Sequence, residues 1–463
     1  MKLNTTEIVA ALGEVSFSGP REELTYQGVS TDTRSDCRQK LFVALVGDNF
    51  DGNAYLDQAV RAGAWGAVIG PTSAGRELAP GLQYFRVQDT LGALQALAAQ
   101  VRQKLHLTRA VAVTGSNGKS TTKEMIAAVV SRRFRTHASS GNFNNHVGVP
   151  LTLLELEAEH EVLVAELGAN HRGEIRRLAR LVAPETSVIT NVAPAHLEGF
   201  GSLEGVLRAK LELFEETAPD GVCIYCGDNE LLKKNVPGKF PHTLSFGLGP
   251  DNDLSAAEVT LDSAACPSFI LDRNLRIRLS LPGRHNVLNA LAAATVGRTL
   301  GLTDREIAEG LERVRPLEMR GRIVRIGGLT VLDDSYNANP LSMCEALKTL
   351  TAFEHRGPRA AVLGQMLELG GQAREMHVEL AEHAAGLPLD LVVMVGEHAA
   401  DMRQAYLDAG GKAAAFAAAD ADQAHRVLKR ELAGGELILV KASRGIRLER
   451  LIEKLESGQK VPG

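Results

Sequence analysis

The residues best suited to chemistry lie in Val113-Thr-Gly-Ser-Asn-Gly-Lys-Ser-Thr121. They follow an apolar run, Ala110–Val113, and open a helical pattern from Lys119 to Val130. A strand, a glycine loop and a helix N-terminus make a phosphate cradle. The loop's N–H groups converge on an anion, and the helix dipole adds favourable potential. Lys119 stands where a lysine reaches the outer phosphates of a nucleotide, and Ser120 where a hydroxyl holds Mg²⁺. The general pattern has a glycine five residues before Gly118. Here that position is Val113, so the loop is a variant anchored on Gly115 and Gly118.

Three further groups could serve such a site. Glu166 ends the apolar run Glu161–Glu166, where nucleotide enzymes place a metal-holding carboxylate. His196 follows the apolar run Thr186–Asn191, and Lys210 falls in a helical pattern from Gly205 to Glu216. A γ-phosphate needs its charge neutralised, and Mg²⁺ with oxygen ligands does so.

The elements that must position these groups fall into three stretches. A chain of 463 residues exceeds one ordinary core, so several domains are expected. Residues 1–105 carry candidate strands at Leu41–Val46 and Trp65–Gly70 and a candidate helix at Tyr55–Ala64. A long apolar-periodic helix, Gln88–Leu105, leads into the next stretch. Two polar turns, Ser30-Thr-Asp-Thr-Arg34 and Gly47-Asp-Asn-Phe-Asp-Gly52, decorate the first stretch. Residues 106–316 alternate strands and helices, which argues for a mostly parallel sheet. Its ligands belong at the carboxyl ends of the strands. Residues 317–463 hold candidate strands at Thr330–Asp333, Arg359–Leu363, Leu389–Val395 and Glu436–Val440, a second doubly wound sheet. Ala413–Ala424 reads as a strand edge plus a helix start, and the chain is expected to fray from Ser457.

Composition narrows the function. The net charge is -5 and no basic block occurs, so the footprint of a nucleic-acid binder is missing. No apolar run is long enough to span a membrane, and the N-terminus lacks an apolar signal region. Cys223 and Cys226 form a CxxC, but the surrounding alternation reads as a strand. No second Cys/His pair follows at zinc spacing, so buried strand cysteines are expected. Reduced thiols without an export signal predict a cytoplasmic protein.

The motifs together resemble those of Mur ligases, the ATP-dependent amino-acid-adding enzymes of peptidoglycan synthesis. The marks are Thr114–Ser120, Ala165-Glu-Leu-Gly-Ala-Asn170, Gly141-Asn-Phe-Asn-Asn-His146, His196-Leu-Glu-Gly-Phe-Gly201, Ala209-Lys210, Leu281-Pro-Gly-Arg-His-Asn286, Gly321-Arg322 and Asp333-Asp-Ser-Tyr-Asn-Ala-Asn-Pro340. The resemblance spans essentially the whole chain. It implies three α/β domains: a small UDP-sugar-binding domain at 1–105, a central P-loop mononucleotide-binding parallel sheet at 106–316, and a C-terminal Rossmann-like domain at 317–463 that binds the incoming dipeptide.

The resemblance also implies roles. Lys119, Lys210, His196 and Arg322 would be catalytic. ATP would contact Thr114, Gly115, Ser116, Asn117, Gly118, Lys119, Ser120, Thr121, Asn286, Asn289, Arg322 and Asp334. Ser120 and Glu166 would hold a first Mg²⁺ and His196 a second, with Lys210 carbamylated to give a metal-side oxygen. Ser30, Thr31, Asp32, Arg34, Asp51 and Gly52, with Asn144 and Asn145, would hold the UDP-linked substrate. Many relatives have Lys-Gly-Arg where this chain has Met319-Arg-Gly-Arg322, so Arg320 is a substitute for that extra charge. Residues reading the amine substrate would lie in Leu363–Gly370 or Lys441–Arg444. The implied substrates are a UDP-N-acetylmuramoyl-tripeptide and D-alanyl-D-alanine, joined by a monomer. A folate-adding ligase would share the ATP chemistry but lacks a UDP-binding domain, and over a hundred residues precede the loop here. A non-catalytic P-loop switch would not need Glu166, His196, Lys210 and Arg322 together.

Overall fold

The computed structural model describes residues 2–20, 22–47, 50–73, 78, 80–106 and 108–458. These form α/β sheets of nine, six and five strands, with two further two-stranded pairings. The nine-stranded sheet carries the glycine loop. Its strands run in the order Thr136–Ala138, Val162–Glu166, Arg109–Thr114, Thr186–Ile189, Val222–Cys226, Thr243–Gly247 and Leu254–Leu261, all parallel. Two antiparallel strands, Pro267–Leu271 and Leu275–Arg278, extend its far edge. The central strands are buried along their length apart from the half-buried Arg109 at the start of one, as expected of a parallel sheet with helices on both faces. Chain order reverses around Arg109–Thr114, which lies between Val162–Glu166 and Thr186–Ile189. That switch point opens a crevice at the strands' carboxyl ends.

The five-stranded sheet comprises Ser16–Ser18, Gln83–Arg86, Gly66–Ile69, Leu41–Val43 and Val29–Ser30, parallel except for the first. The expected strand Leu41–Val46 is divided. Its first half pairs in the sheet, while Val46–Gly47 pairs antiparallel with Phe50–Asp51. The division is enforced at Gly52, whose N–H donates to Leu45 O at 2.7 Å. A Cβ on Gly52 would lie 2.6 Å from that oxygen. Asp48 and Asn49 of this polar turn lie outside the described residues.

The helix Thr90–Lys104 joins this sheet to the nine-stranded one. Asp89 caps it by accepting the Leu91 N–H at 2.9 Å. Its inner face buries Leu94, Leu97, Ala98 and Val101. The buried Arg102 donates to Val182 O at 2.8 Å and Ala183 O at 3.3 Å. It thereby satisfies carbonyls at the end of helix Glu174–Val182 that have no partner within that helix.

The six-stranded sheet runs Arg322–Ile326, Leu329–Asp333, Leu437–Lys441, Arg359–Gly364, Leu391–Val395, Ala414–Ala418. All but the first strand are parallel, and Arg322–Ile326 is an antiparallel edge. Ala414–Ala418 forms the other edge and helix Ala421–Glu431 follows, as the alanine-rich segment predicted. Helix Glu449–Ser457 runs to the point where fraying was expected, and residues 459–463 are outside the description. Cys223 and Cys226 are buried on a strand, and burial pushes both thiols up to about 11. No described helix is long and apolar enough to cross a membrane.

Candidate active site

The loop between Thr114 and Lys119 depends on its two glycines. Gly115 has φ +153° and Gly118 φ +78°, conformations that side chains rarely adopt. A Cβ at Gly115 would fall 1.9 Å from Thr190 Oγ1, and one at Gly118 would fall 2.4 Å from Asn289 Oδ1. The next loop supplies the frame: Asn191 Oδ1 accepts the Asn117 N–H at 2.9 Å, and Ser116 Oγ donates to Ala193 O at 2.9 Å. Helix Lys119–Val130 then starts directly at the cradle. Val113, which stands in place of the general pattern's first glycine, is a buried strand residue paired in register with Glu166. A side chain is tolerated there because the strand has not yet turned into the loop.

A cavity of about 940 Å³ opens at this point. Ser116–Thr121, Asn144, Asn145, Glu166, His196, Asn286, Asn289 and Asp334 all line it. Lys119 Nζ donates to Gly115 O at 2.7 Å. Burial lowers its pKa, the Glu166 charge raises it, and Arg320 lowers it further. Ser120 Oγ and Glu166 Oε2 are buried without a hydrogen-bond partner. The other Glu166 oxygen accepts from Asn144 Nδ2 at 2.8 Å. Among the described residues, no group of three or more His, Cys, Asp or Glu side chains could hold a metal. The unpartnered hydroxyl and carboxylate oxygens are nevertheless the donor types that Mg²⁺ takes together with phosphate oxygens and water.

Helix Asn286–Thr299 brings its first turn to the same cradle. Asn289 Nδ2 donates to Asn286 Oδ1 at 2.9 Å, and Thr122 Oγ1 donates to Asn289 Oδ1 at 3.2 Å. Phe246, Leu248, Leu261, Leu281 and Pro282 give this end of the cavity an apolar wall.

The six-stranded sheet closes the other side. Asn339 Nδ2 donates to Asn117 Oδ1 at 2.7 Å. Glu368 pairs with His196 Nδ1, and its backbone oxygen accepts the Glu198 N–H at 3.1 Å. The His196 hydrogen bond holds the Glu368 carboxyl below its usual pKa. Asp334 accepts from Lys441 Nζ at 2.6 Å, and that lysine, which lines the cavity, also donates to Asn337 O at 2.9 Å. Arg320 stacks over Tyr336, 3.9 Å from the ring centroid, and both face the cavity.

Other expected site residues fall elsewhere. Thr114 is buried behind the loop, donating to Leu167 O at 2.7 Å. Gly115 shapes the loop without lining the cavity. Arg322 starts the edge strand, is exposed, and lies 3.9 Å from Glu318. Of the two arginines in the linker, Arg320 therefore faces the cavity and Arg322 does not. Arg320 precedes the strand, in a turn between Met319 and Gly321, whose φ angles are +59° and +68°. Within a strand, residues two apart would share a face, so linker spacing alone does not indicate that only one arginine turns inward.

Lys210 is almost fully buried on helix Leu203–Glu215, behind the cavity wall. Burial, then the nearby Lys119 charge, pulls its pKa from 10.5 to about 7.

Ser30, Thr31, Asp32, Arg34, Asp51 and Gly52 lie in the five-stranded unit, away from this cavity. Asp32 pairs with Arg34 at 2.6 Å, which lowers its carboxyl to about 2. Asp51 accepts the Asn53 N–H at 2.9 Å. Asn144 and Asn145, expected to contact the same substrate, both line the cavity, with Asn144 against Glu166. Asn145 Oδ1 accepts the N–H groups of Val147 and Gly148 at 3.1 and 2.9 Å. Tyr336 and Asn339 also line the cavity, and their place inside the Asp333–Pro340 motif is the sequence signal that points to them.

Comparison with known proteins gives a consistent result. A family described as Mur ligase middle domain matches residues 113–297, and one described as Mur ligase, glutamate ligase domain matches residues 319–444. UDP-N-acetylmuramoyl-tripeptide--D-alanyl-D-alanine ligase of Bacillus subtilis is 36% identical over 97% of this chain and 98% of its own. A crystal structure of MurF from Acinetobacter baumannii superposes with TM-score 0.86 at 31% identity, covering 99% of each chain. MurF ligase from Thermotoga maritima in complex with ADP gives TM-score 0.79 at 28% identity, covering 94% of this chain and 98% of that one.

Proposed function

The chain belongs to the Mur ligase family, and from that premise we propose that it joins the terminal carboxylate of a UDP-N-acetylmuramoyl-tripeptide to the amine of D-alanyl-D-alanine at the expense of ATP. The observation that carries this reading is a single cavity lined by both the glycine loop and the third domain's Arg320, Asp334 and Lys441. A carboxylate, a triphosphate and an amine can meet there.

A tripeptide carboxylate oxygen attacks the γ-phosphorus, ADP leaves, and an acyl phosphate forms. The amine then attacks the acyl carbon and phosphate leaves with its electron pair. The protein's part is positioning and charge neutralisation. We assign Lys119 and the loop N–H groups to the phosphates, Asn286 and Asn289 to the adenine, and Asp334 to the ribose end of the cavity. Arg320 is assigned to the γ-phosphate in preference to Arg322, because Arg320 alone of the pair lines the cavity. Lys441 stays with Asp334, its ion-pair partner, while the Leu367–Leu369 segment, whose Glu368 meets His196, suits the dipeptide.

Ser120 and Glu166 are the residues to hold Mg²⁺, which when bound supplies positive charge to the phosphate oxygens. His196 is the next candidate donor. A Lys210 amine with a pKa of about 7 is neutral in about half the molecules at neutral pH. The neutral amine can attack CO₂, forming an N–C bond and releasing a proton, and so become a carbamate. Residues 1–105 would bind the UDP-sugar, 106–316 ATP and 317–463 the dipeptide. Substrates of this kind place the reaction in the cytoplasm, with the chain acting as a monomer.

Phosphate release in the presence of ATP, measured across UDP-muramoyl-peptides and amino donors, tests the proposal. Release should require both the tripeptide substrate and D-alanyl-D-alanine. Release supported equally by single amino acids, or by a folate acceptor with glutamate, would overturn it.

A further inference from the structure

Lys123 lies one helical turn beyond Lys119 on helix Lys119–Val130 and is fully buried. Burying an ammonium is costly unless every donor is used. This one donates to Ser139 O at 2.6 Å and pairs with Glu124. An apolar side chain of similar length would fill the same space without that desolvation, so packing does not account for the charge. What the ammonium holds is the first residue of a loop built around Glu166.

Ser139 follows strand Thr136–Ala138. Its N–H donates to Val164 O at 3.0 Å, and its hydroxyl accepts the Glu166 N–H at 3.2 Å. Five residues on, the loop returns to the same carboxylate. Asn144 Nδ2 donates to Glu166 Oε1 at 2.8 Å, and Asn144 O accepts the Gly168 N–H at 2.7 Å. Gly168 allows this approach, since a Cβ there would meet Asn144 Cγ at 2.9 Å. Glu166 is thus clamped at its backbone by Ser139 and at one oxygen by Asn144, leaving Oε2 unpartnered.

We propose that Lys123 is a positioning residue: through Ser139 it ties the phosphate-binding helix to the loop that orients Glu166, so that Oε2 and Ser120 Oγ are presented together to a divalent cation. The inference rests on the reading of Glu166 as the metal-holding carboxylate. Lys119 and Ser120 sit on the first turn of the same helix and Lys123 on the second. The clamp therefore fixes the distance between the two oxygen donors by joining their parent elements directly.

The test uses the full-length protein and ADP, comparing Lys123→Met, Ser139→Ala and Glu166→Gln with the unmodified chain. Calorimetry gives ADP affinity in EDTA and across a Mg²⁺ titration, and thermal melting reports folding. Partners that orient a metal ligand are worth about ten- to a hundredfold in metal affinity, so Lys123→Met and Ser139→Ala should need at least about tenfold more Mg²⁺ for half-maximal effect, while EDTA affinity stays within about twofold. A purely structural role would lower the melting temperature and leave the Mg²⁺ requirement unmoved. A folded Lys123→Met variant with the unmodified Mg²⁺ requirement overturns the proposal. If that variant does not fold, Ser139→Ala keeps the carbonyl that Lys123 holds but removes the hydroxyl that carries the link on to Glu166, and an unmodified Mg²⁺ requirement in it overturns the proposal. Unchanged Mg²⁺ dependence in Glu166→Gln would instead overturn the underlying metal assignment, and the positioning role with it.

Discussion

Replacing Lys210 by methionine should stabilise the fold at neutral pH while abolishing ligation. The amine is 1% exposed, and burial with the neighbouring Lys119 charge brings its pKa from 10.5 to about 7. Each tenfold change in proton affinity is about 1.4 kcal/mol, so keeping the proton on the folded amine costs roughly 4 to 5 kcal/mol. Between pH 7 and 10.5 the unfolded chain binds the proton and the folded chain releases it. Stability therefore rises with pH across that window. Below it both states are protonated and the whole penalty applies. Methionine fills similar space without a charge, at a packing cost of up to about 1.5 kcal/mol. The net gain below pH 7 should then be at least about 2.5 kcal/mol, shrinking as pH approaches 10.5. The assay is thermal and urea unfolding as a function of pH, alongside phosphate release. Buffers are stripped of CO₂, because carbamylation of the folded chain alone would stabilise the unmodified protein. A methionine variant that is less stable at every pH, or whose stability difference does not change with pH, would refute the reasoning.

Other expectations follow from the same geometry. Lys119→Ala should lower turnover at saturating ATP by at least about a hundredfold, as expected for loss of one preorganised charge, and near-normal turnover would remove the loop from the phosphate site. Arg320→Ala should depress kcat by about a hundredfold, whereas Arg322→Ala, which loses only an exposed pairing, should stay within a few-fold; kcat and ADP affinity on both variants check this, and the reverse ranking would sink it. Gly118→Ala introduces a left-handed strain of about 1 to 2 kcal/mol and pushes on Asn289 Oδ1, 2.4 Å from the new Cβ. ADP affinity should fall at least about tenfold, and calorimetry showing unchanged binding would mean that the loop relaxes freely.

By itself the sequence determined the elements whose residues interact locally. The strand ending at Thr114, the glycine turn and the helix starting at Lys119 are legible because apolar runs, glycines and helical periodicity act within a few residues. The strand ending at Glu166 and the helix carrying Lys210 were legible for the same reason, as was the strand character of Cys223–Cys226. Family resemblance then supplied expected roles for these groups.

Tertiary structure decided what depends on distant residues and on side-chain direction. The split of Leu41–Val46 turns on a close approach between Gly52 and Leu45. The choice between Arg320 and Arg322 rests on a turn with left-handed Met319 and Gly321, which aims Arg320 at the cavity before the edge strand begins at Arg322. Asn144 belongs beside Glu166 because a loop folds back across a parallel strand pair, a contact 22 residues apart in sequence. His196 meets Glu368 across 172 residues and Asn117 meets Asn339 across 222. No local pattern encodes such pairs, since they form only when two separately folded sheets pack around one cavity.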